Sequence, residues 1–235
     1  MLERKPMDYI DTHCHVDMVM QRLKLEHFDQ LQELFPRNFE KVIHIACDEK
    51  AIDFAEAIIL DQTKVYCGIG IHPHDAEDYR DELHQRITRL MNKPKVLAWG
   101  EIGLDYHYDY SPRDIQKSVF ERQLTQALQL EMPIIIHTRE ADEDTLDILS
   151  RHLQKESKVH IHCFTGSAEF AQKLLALPGQ IFFGFTGVIT FKNAEEIRAS
   201  VRLIPINQIL LETDAPFMAP LPHRGKPAHS GMIPF

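Results

Sequence analysis

The stretch Pro133-Ile134-Ile135-Ile136-His137 decides the fold class of this chain. It is a short run of consecutive apolar residues, which is typical of a strand in a parallel sheet whose two faces are both covered. Similar runs rich in Val, Ile and Phe recur along the chain, and with this one they give eight predicted strands. The other seven lie at residues 9–13, 42–46, 65–71, 96–102, 159–163, 181–185 and 209–212.

Segments with helical spacing of apolar residues lie between most of these strands. One follows Ser111-Pro112 and another follows Ser167. Parallel strands that alternate with amphipathic helices indicate an α/β protein, and eight such units predict a TIM-type (β/α)8 barrel. We expect one domain over residues 1–235. Only about seven helices accompany the eight strands, so the last outer helix is expected to be missing from this chain.

The composition indicates an ordinary globular protein, with 44% hydrophobic and 26% charged residues. No apolar run is long enough to cross a membrane, and the N-terminus lacks the apolar core of a secretory signal. These two features favour a cytoplasmic location. The four cysteines show no paired spacing and are expected to be small, buried and reduced. The net charge of −9 gives the protein as a whole no attraction for nucleic acid.

Histidine and carboxylate side chains cluster at the predicted carboxyl ends of the strands, where barrels of this type carry their active sites. His13 and His15 are alternate residues of the first strand, so their side chains project to one face. A lone histidine at a strand end is more often a hydrogen-bonded core residue, but a recurring set predicts a metal centre. The set is His13, His15, Glu101, His137, His162 and Asp214.

Several ordered motifs make the chain resemble the TatD family of metal-dependent deoxyribonucleases, in the amidohydrolase superfamily. They span most of the sequence: Asp-Thr-His-Cys-His-Val-Asp at 11–17, Gly-Ile-His-Pro-His at 70–74, Gly-Glu-Ile-Gly-Leu-Asp at 100–105, His-Thr-Arg-Glu at 137–140, His-Cys-Phe-Thr-Gly at 162–166 and Leu-Glu-Thr-Asp-Ala-Pro at 211–216.

The resemblance implies two divalent metal ions with Glu101 as the bridging ligand. It assigns the first ion to His13, His15, Glu101 and Asp214, and the second to Glu101, His137 and His162. Zn, Mg and Mn all fit imidazole and carboxylate ligands without thiolate. Glu101 and Asp214 are the expected catalytic residues, with Asp214 as the general base that takes a proton from a metal-activated water.

Four further residues are candidates for substrate contacts: His72, His74, Arg139 and Arg224. An arginine fork can bind two phosphate oxygens, although each of these residues has an ordinary structural role as the alternative. His72 and Asp105 have a second alternative, which is to hold a metal ligand by a hydrogen bond. Tyr106, Tyr108 and Phe164 follow strand ends, where they either pack or stack against a base.

The expected activity is that of an exonuclease acting on single-stranded or frayed DNA ends. The alternative is a metal-dependent hydrolase of a small-molecule ester, amide or lactone, because the same chemistry attacks carbonyl groups. A metal-stabilised binding protein is a third reading. The sequence leaves monomer and weak dimer open, and the missing helix allows a second subunit to cover the first and last strands.

Overall fold

The computed structural model describes residues 7–235, and within them the chain forms eight strands that pair in sequence order. Every neighbouring pair is parallel. All eight predicted strands are confirmed, with shifted ends. They are β1 (Tyr9–Cys14), β2 (Phe39–Ala46), β3 (Val65–Ile69), β4 (Val96–Asp105), β5 (Ile134–Arg139), β6 (Lys158–Ile161), β7 (Gln180–Phe185) and β8 (Ile209–Leu211).

Each of the seven connections between successive strands contains an α-helix. The helices are α1 (Val16–Leu23), α2 (Phe28–Gln32), α3 (Glu49–Asp61), α4 (Asp81–Leu90), α5 (Arg113–Gln129), α6 (Asp142–His152), α7 (Ala168–Leu175) and α8 (Glu195–Leu203). Side-chain caps fix where some of them begin, because the first N–H groups of a helix lack intrahelical partners. Ser167 caps α7 by accepting from the N–H of Phe170 at 3.1 Å.

Backbone hydrogen bonds bring the last strand against the first and nearly close the barrel. The N–H of Asp214 donates to the carbonyl of His13, and the N–H of His15 donates to the carbonyl of Ala215, both at 2.9 Å. Cys14 and Ala215 form a parallel bridge there. The (β/α)8 prediction is therefore confirmed, and the ends of β1 and β8 lie side by side at the carboxyl rim.

Within residues 7–235, no α-helix follows β8. The chain instead runs as a loop with one short 3₁₀ turn, Ser230–Met232. Ile10 on β1 and Leu211 on β8 are 46% and 49% exposed. The described helices include none with the length and apolar character that crossing a membrane requires.

The main core lies between the sheet and its helices, where Trp99, Phe120 and Leu124 are buried. A small second cluster, separate from this core, is formed by one residue each of β2, β4 and β5: Ile45, Ala98 and Ile135. Ile135 and His137 alternate along β5 and so share a face of the sheet. Apolar packing thus supports the strand face that carries the polar residues of the rim.

Candidate metal centre

Glu101 is the residue on which the predicted metal-ligand side chains converge. Its Oε1 atom lies 2.7 Å from Nδ1 of His137 and 2.7 Å from Nε2 of His162. Its Oε2 atom lies 3.3 Å from Nε2 of His13. One buried carboxylate therefore faces ring nitrogens from three different strand ends.

Asp214 forms the opposite side of the cluster with the first-strand histidines. Its Oδ1 atom lies 3.5 Å from Nε2 of His15 and 3.8 Å from Nε2 of His13. His13, His15 and Asp214 each offer a ligand atom within 4.8 Å of the others, and so do His13, Glu101 and His162. These two overlapping groups hold five of the six predicted ligand residues, and the sixth, His137, lies 2.7 Å from Glu101 through its Nδ1 atom.

His72 lies inside the same cluster rather than at its edge. Its Nε2 atom is 3.4 Å from Oε1 of Glu101, and His72, Glu101 and His137 make a third group of donors within 4.8 Å. Burial and the neighbouring His137 lower the pKa of His72 to about 4. The ring is therefore neutral near pH 7, which is the form that binds metals.

The close approach of β4 and β5 depends on a glycine. Gly103 has a φ of +144°, and a Cβ atom there would collide with the carbonyl oxygen of His137. A residue with a side chain would therefore push β5 away from β4. Gly103 keeps Glu101 and His137, which the two strands carry, within contact distance.

The charges of the cluster are set by burial and by the mixture of carboxylates and imidazoles. Burial alone would raise the pKa of Glu101, but the surrounding histidines outweigh it and hold the pKa well below its usual range. Burial, together with His162, lowers the pKa of His13 to about 4. Near neutral pH an ionised Glu101 thus faces a neutral His13, whereas the carboxylates of Asp105 and Glu101 outweigh burial at His137 and raise its pKa to about 9.

The residues present fit a divalent cation. Both ring nitrogens of His13 are buried, and neither has a hydrogen-bond partner among residues 7–235. A buried polar atom without a partner is costly, and a cation beside Nε2 would supply the missing interaction. Imidazole and carboxylate donors suit Zn, Mn and Mg, so the donor set fits the predicted metals without choosing among them.

Asp105 accepts hydrogen bonds from two of the histidines, His137 and His74. Nε2 of His137 donates to Oδ2 of Asp105 at 3.1 Å, and Nε2 of His74 donates to the same oxygen at 3.0 Å. The first of these bonds leaves Nδ1 of His137 facing Glu101. Asp105 therefore has the orienting position that the sequence allowed as an alternative, and such partners tune metal ligands.

The predicted substrate-contact residues are divided between the cluster and its surroundings. His72 joins the ligand cluster, and His74 contacts Asp105. The guanidinium of Arg139 lies 4.9 Å from the ring centre of Tyr108, and that of Arg224 lies 4.3 Å from the ring centre of Phe191. In the described part of the chain, no hydrogen bond or ion pair joins either arginine to the six ligand residues.

The sequence did not single out two residues beside the cluster, the half-buried His160 and the buried Glu212. Nε2 of His160 lies 2.8 Å from Oε2 of Glu212, and the other oxygen of Glu212 accepts from the N–H of Cys163. That oxygen is also 3.9 Å from Nδ1 of His162. The signal was present, because each residue lies two positions before a predicted ligand and so shares its face.

A third missed residue, Asp11, ties the first strand to the segment that carries Asp214. Its two carboxylate oxygens accept from the N–H of Thr213 at 3.0 Å and from the Thr213 hydroxyl at 2.6 Å. Asp11 is fully buried. The contact spans 202 positions of sequence, so no local pattern indicates it.

The chain is similar to known proteins over nearly its whole length. A family model described as TatD related DNase matches residues 10–235. The chain is 40% identical over 221 residues to a protein of Bacillus subtilis named uncharacterized metal-dependent hydrolase YabD. This match covers 92% of this chain and 83% of YabD. It is 38% identical over 219 residues to a human protein named 3'-5' RNA nuclease TATDN2. That match covers 90% of this chain but only 29% of the human protein.

A solved structure is similar over nearly the whole chain. The crystal structure of YjjV, a TatD homologue from Escherichia coli K12, superposes with a TM-score of 0.83 at 27% sequence identity. The match covers 96% of this chain and 86% of that protein. Sequence and fold therefore agree on the same set of relatives.

Proposed function

This chain belongs to the family of TatD-related DNases and is a metal-dependent hydrolase, and on that premise we propose that it is a nuclease. The bond that it hydrolyses is the phosphodiester of a single-stranded or frayed nucleic acid end. The observation that carries the proposal is the position of Glu101, whose Oε2 atom faces His13 and whose Oε1 atom faces His137 and His162. A shared carboxylate of this kind suits a pair of ions.

The ligand assignment follows from the contacts. His13, His15 and Asp214 would hold one ion together with Glu101. His137 and His162 would hold the second, again with Glu101, and His72 approaches that side. Divalent ions bound here would polarise a phosphoryl oxygen and make a water molecule easier to deprotonate.

Asp214 is the proposed general base. Burial alone would raise its pKa, but His15, His162 and His13 outweigh burial and lower it. The carboxylate is therefore ionised near pH 7 and able to accept a proton from the attacking water. Asp214 lies 3.5 Å from His15 and 3.8 Å from His13, so it would face a water molecule held at the ion that these histidines bind.

The polarity of the rim supports a nucleic acid end as substrate. Arg139 is exposed at the end of β5, where its guanidinium is free to meet a phosphate. DNA is the first substrate to test, because the family model is named for a DNase. RNA is tested beside it, because the human relative carries the name of an RNA nuclease.

Hydrolysis of a small-molecule ester, amide or lactone is the second candidate. The net charge of −9 favours it, since the protein as a whole repels a polyanion. The same ligands and the same base would serve a carbonyl substrate. Only turnover separates the two functions.

The test is turnover of 5′-labelled single-stranded DNA and RNA with added Mg, Mn or Zn, beside a panel of carbonyl esters. We expect a stepwise ladder of shortened oligonucleotides that disappears with a chelator. Glu101→Gln should abolish the ladder, whereas the exposed control Glu169→Gln, which pairs with Lys173 at the surface, should keep it. Turnover of esters without any cleavage of oligonucleotides would overturn the nuclease proposal.

A further inference from the structure

Two tyrosines stack on each other in the open at the rim of the barrel. The ring centres of Tyr108 and Tyr110 are 5.3 Å apart and their planes differ by 12°. The residues are 47% and 65% exposed. Aromatic rings stabilise a protein most when they are buried. A stacked pair that stays exposed therefore indicates a surface that receives a ligand.

The segment that carries the two rings is held firmly by hydrogen bonds. The N–H of Tyr108 donates to Oδ1 of Asp105 at 3.1 Å. The hydroxyl of Ser111 donates to the carbonyl of His74 at 2.8 Å, and the amide of Gln116 donates to the carbonyl of Ser111 at 2.8 Å. Binding to a segment that is already ordered loses little conformational entropy.

The same segment is connected directly to the metal centre. Asp105 binds Tyr108 through one oxygen and His137 through the other. The imidazole of His74 lies edge-on to both tyrosines, with ring centres 5.6 and 4.8 Å away. The two tyrosines are thus linked to the metal centre through Asp105 and border it on the side of His74.

Arg139 adds a positive charge to this surface. Its guanidinium lies over Tyr108, and within residues 7–235 it has no carboxylate partner at 4.0 Å or less. The nearby carboxylates of Asp109 and Glu140 are already paired with Arg113 and His107. The charge of Arg139 therefore remains available for a phosphate.

We propose that Tyr108, Tyr110 and Arg139 form a nucleobase-binding surface, here called the tyrosine platform. A base of a single strand stacks on Tyr110, the more exposed ring, which Tyr108 supports by its own stacking, and Arg139, which lies over Tyr108, binds a phosphate of the same strand. The inference rests on the proposed nuclease function and adds a binding subsite to it. Every base has a π-face, so the platform binds without strong base preference and excludes a base that is still paired in a duplex.

The experiment removes the base and the ring in turn. Oligonucleotides that carry one abasic position, moved stepwise along the strand, are compared with the intact strand by kcat/KM and by equilibrium binding. We expect wild-type protein to lose about tenfold at one position near the cleaved bond, the scale of one base stacked on an aromatic ring. The loss should fall mainly on KM, because stacking holds the strand and does no chemistry.

The matched variants show whether that loss comes from the tyrosines. Tyr108→Leu and Tyr110→Leu should lower the affinity for the intact strand by a similar factor and make the abasic position neutral. Tyr108→Phe should restore the sensitivity to the missing base. Tyr66→Leu is the control, because Tyr66 also has a cation over its ring, Lys41 at 5.5 Å, but lies near the start of β3, far from the carboxyl rim.

The outcomes separate the platform from the nuclease. Cleavage by wild type that is indifferent to every abasic position, or leucine variants that keep the abasic loss, would overturn the platform and leave the nuclease standing. Binding with an abasic effect that depends on Tyr108, but without cleavage, would support the platform and overturn the nuclease. A dimer that becomes a monomer in Tyr110→Leu would overturn the platform in favour of an interface between two copies.

Discussion

The Oε1 atom of Glu101 on β4 lies 2.7 Å from Nε2 of His162, which directly follows β6, although β4 and β6 are not neighbours in the sheet. The other oxygen of the same carboxylate faces His13. The barrel therefore uses one glutamate to join two groups of histidines. Loss of this carboxylate should affect both groups at once.

Glu101→Gln should lower both the bound metal and the catalytic rate, the rate by about 10²-fold or more. An amide keeps the size of the side chain but removes the charge that balances the cations. The measurement is the metal content after dialysis together with kcat, with Glu169→Gln as the control of equal charge change. Wild-type metal content in Glu101→Gln would remove Glu101 from the ligand set.

Asp214→Asn should lower the rate by about 10²-fold or more at saturating metal, because a neutral amide cannot accept the proton of the attacking water. Single-turnover assays at several metal concentrations separate this effect from weaker metal binding. A variant that recovers the wild-type rate when more metal is added would show that Asp214 is a ligand and nothing else.

Asp105→Asn should weaken metal binding by about 10- to 100-fold, the usual scale for losing a residue that orients a metal-binding histidine. The asparagine can still accept a hydrogen bond from one imidazole, but it lacks the negative charge that holds the imidazoles of His74 and His137 together. Metal titrations by calorimetry measure the change. Asp144→Asn is the control, since Asp144 accepts from the Tyr106 hydroxyl at the surface; equal affinities in both variants would contradict the role of Asp105.

Removal of metal should lower the thermal midpoint of the wild-type protein. A ligand present at 100 times its Kd stabilises the folded state by about 2.7 kcal/mol, and a buried cation would also satisfy the unpaired nitrogen of His13. Thermal denaturation with metal and with excess chelator measures the shift. Glu101→Gln should show little of it, and a shift of wild-type size in that variant would place the stabilising ion elsewhere.

Most of the fold could be predicted from the sequence, because strands that are buried on both faces are continuous apolar runs. The apolar stretch at 134–136 is a strand in the structure, and so are its seven counterparts. Strand ends were less predictable. β4 extends to Asp105, three residues beyond the predicted end, because its last residues pair with Thr138 and Arg139 of β5, and such pairing depends on the neighbour.

The ligand histidines were recognisable because each follows an apolar run, whereas their supporting residues were not. His160 and Glu212 each lie two positions before a ligand residue. In the sequence they look like part of the apolar runs, and only their contact in the structure shows that they support the ligands. The Asp11 to Thr213 contact joins opposite ends of the chain. The place of His72 beside Glu101 also depends on barrel geometry, which sets how far each strand end reaches inward.

The central claim is that Glu101 is shared by two divalent ions, and anomalous diffraction from crystals of the Mn-loaded protein tests it most directly. We expect two anomalous peaks about 3.5 to 4 Å apart, the separation of two-metal sites. One peak should contact His13, His15 and Asp214, the other His137 and His162, and both should contact Glu101. Peaks that lie away from Glu101, or a single ion that Glu101 does not touch, would contradict it.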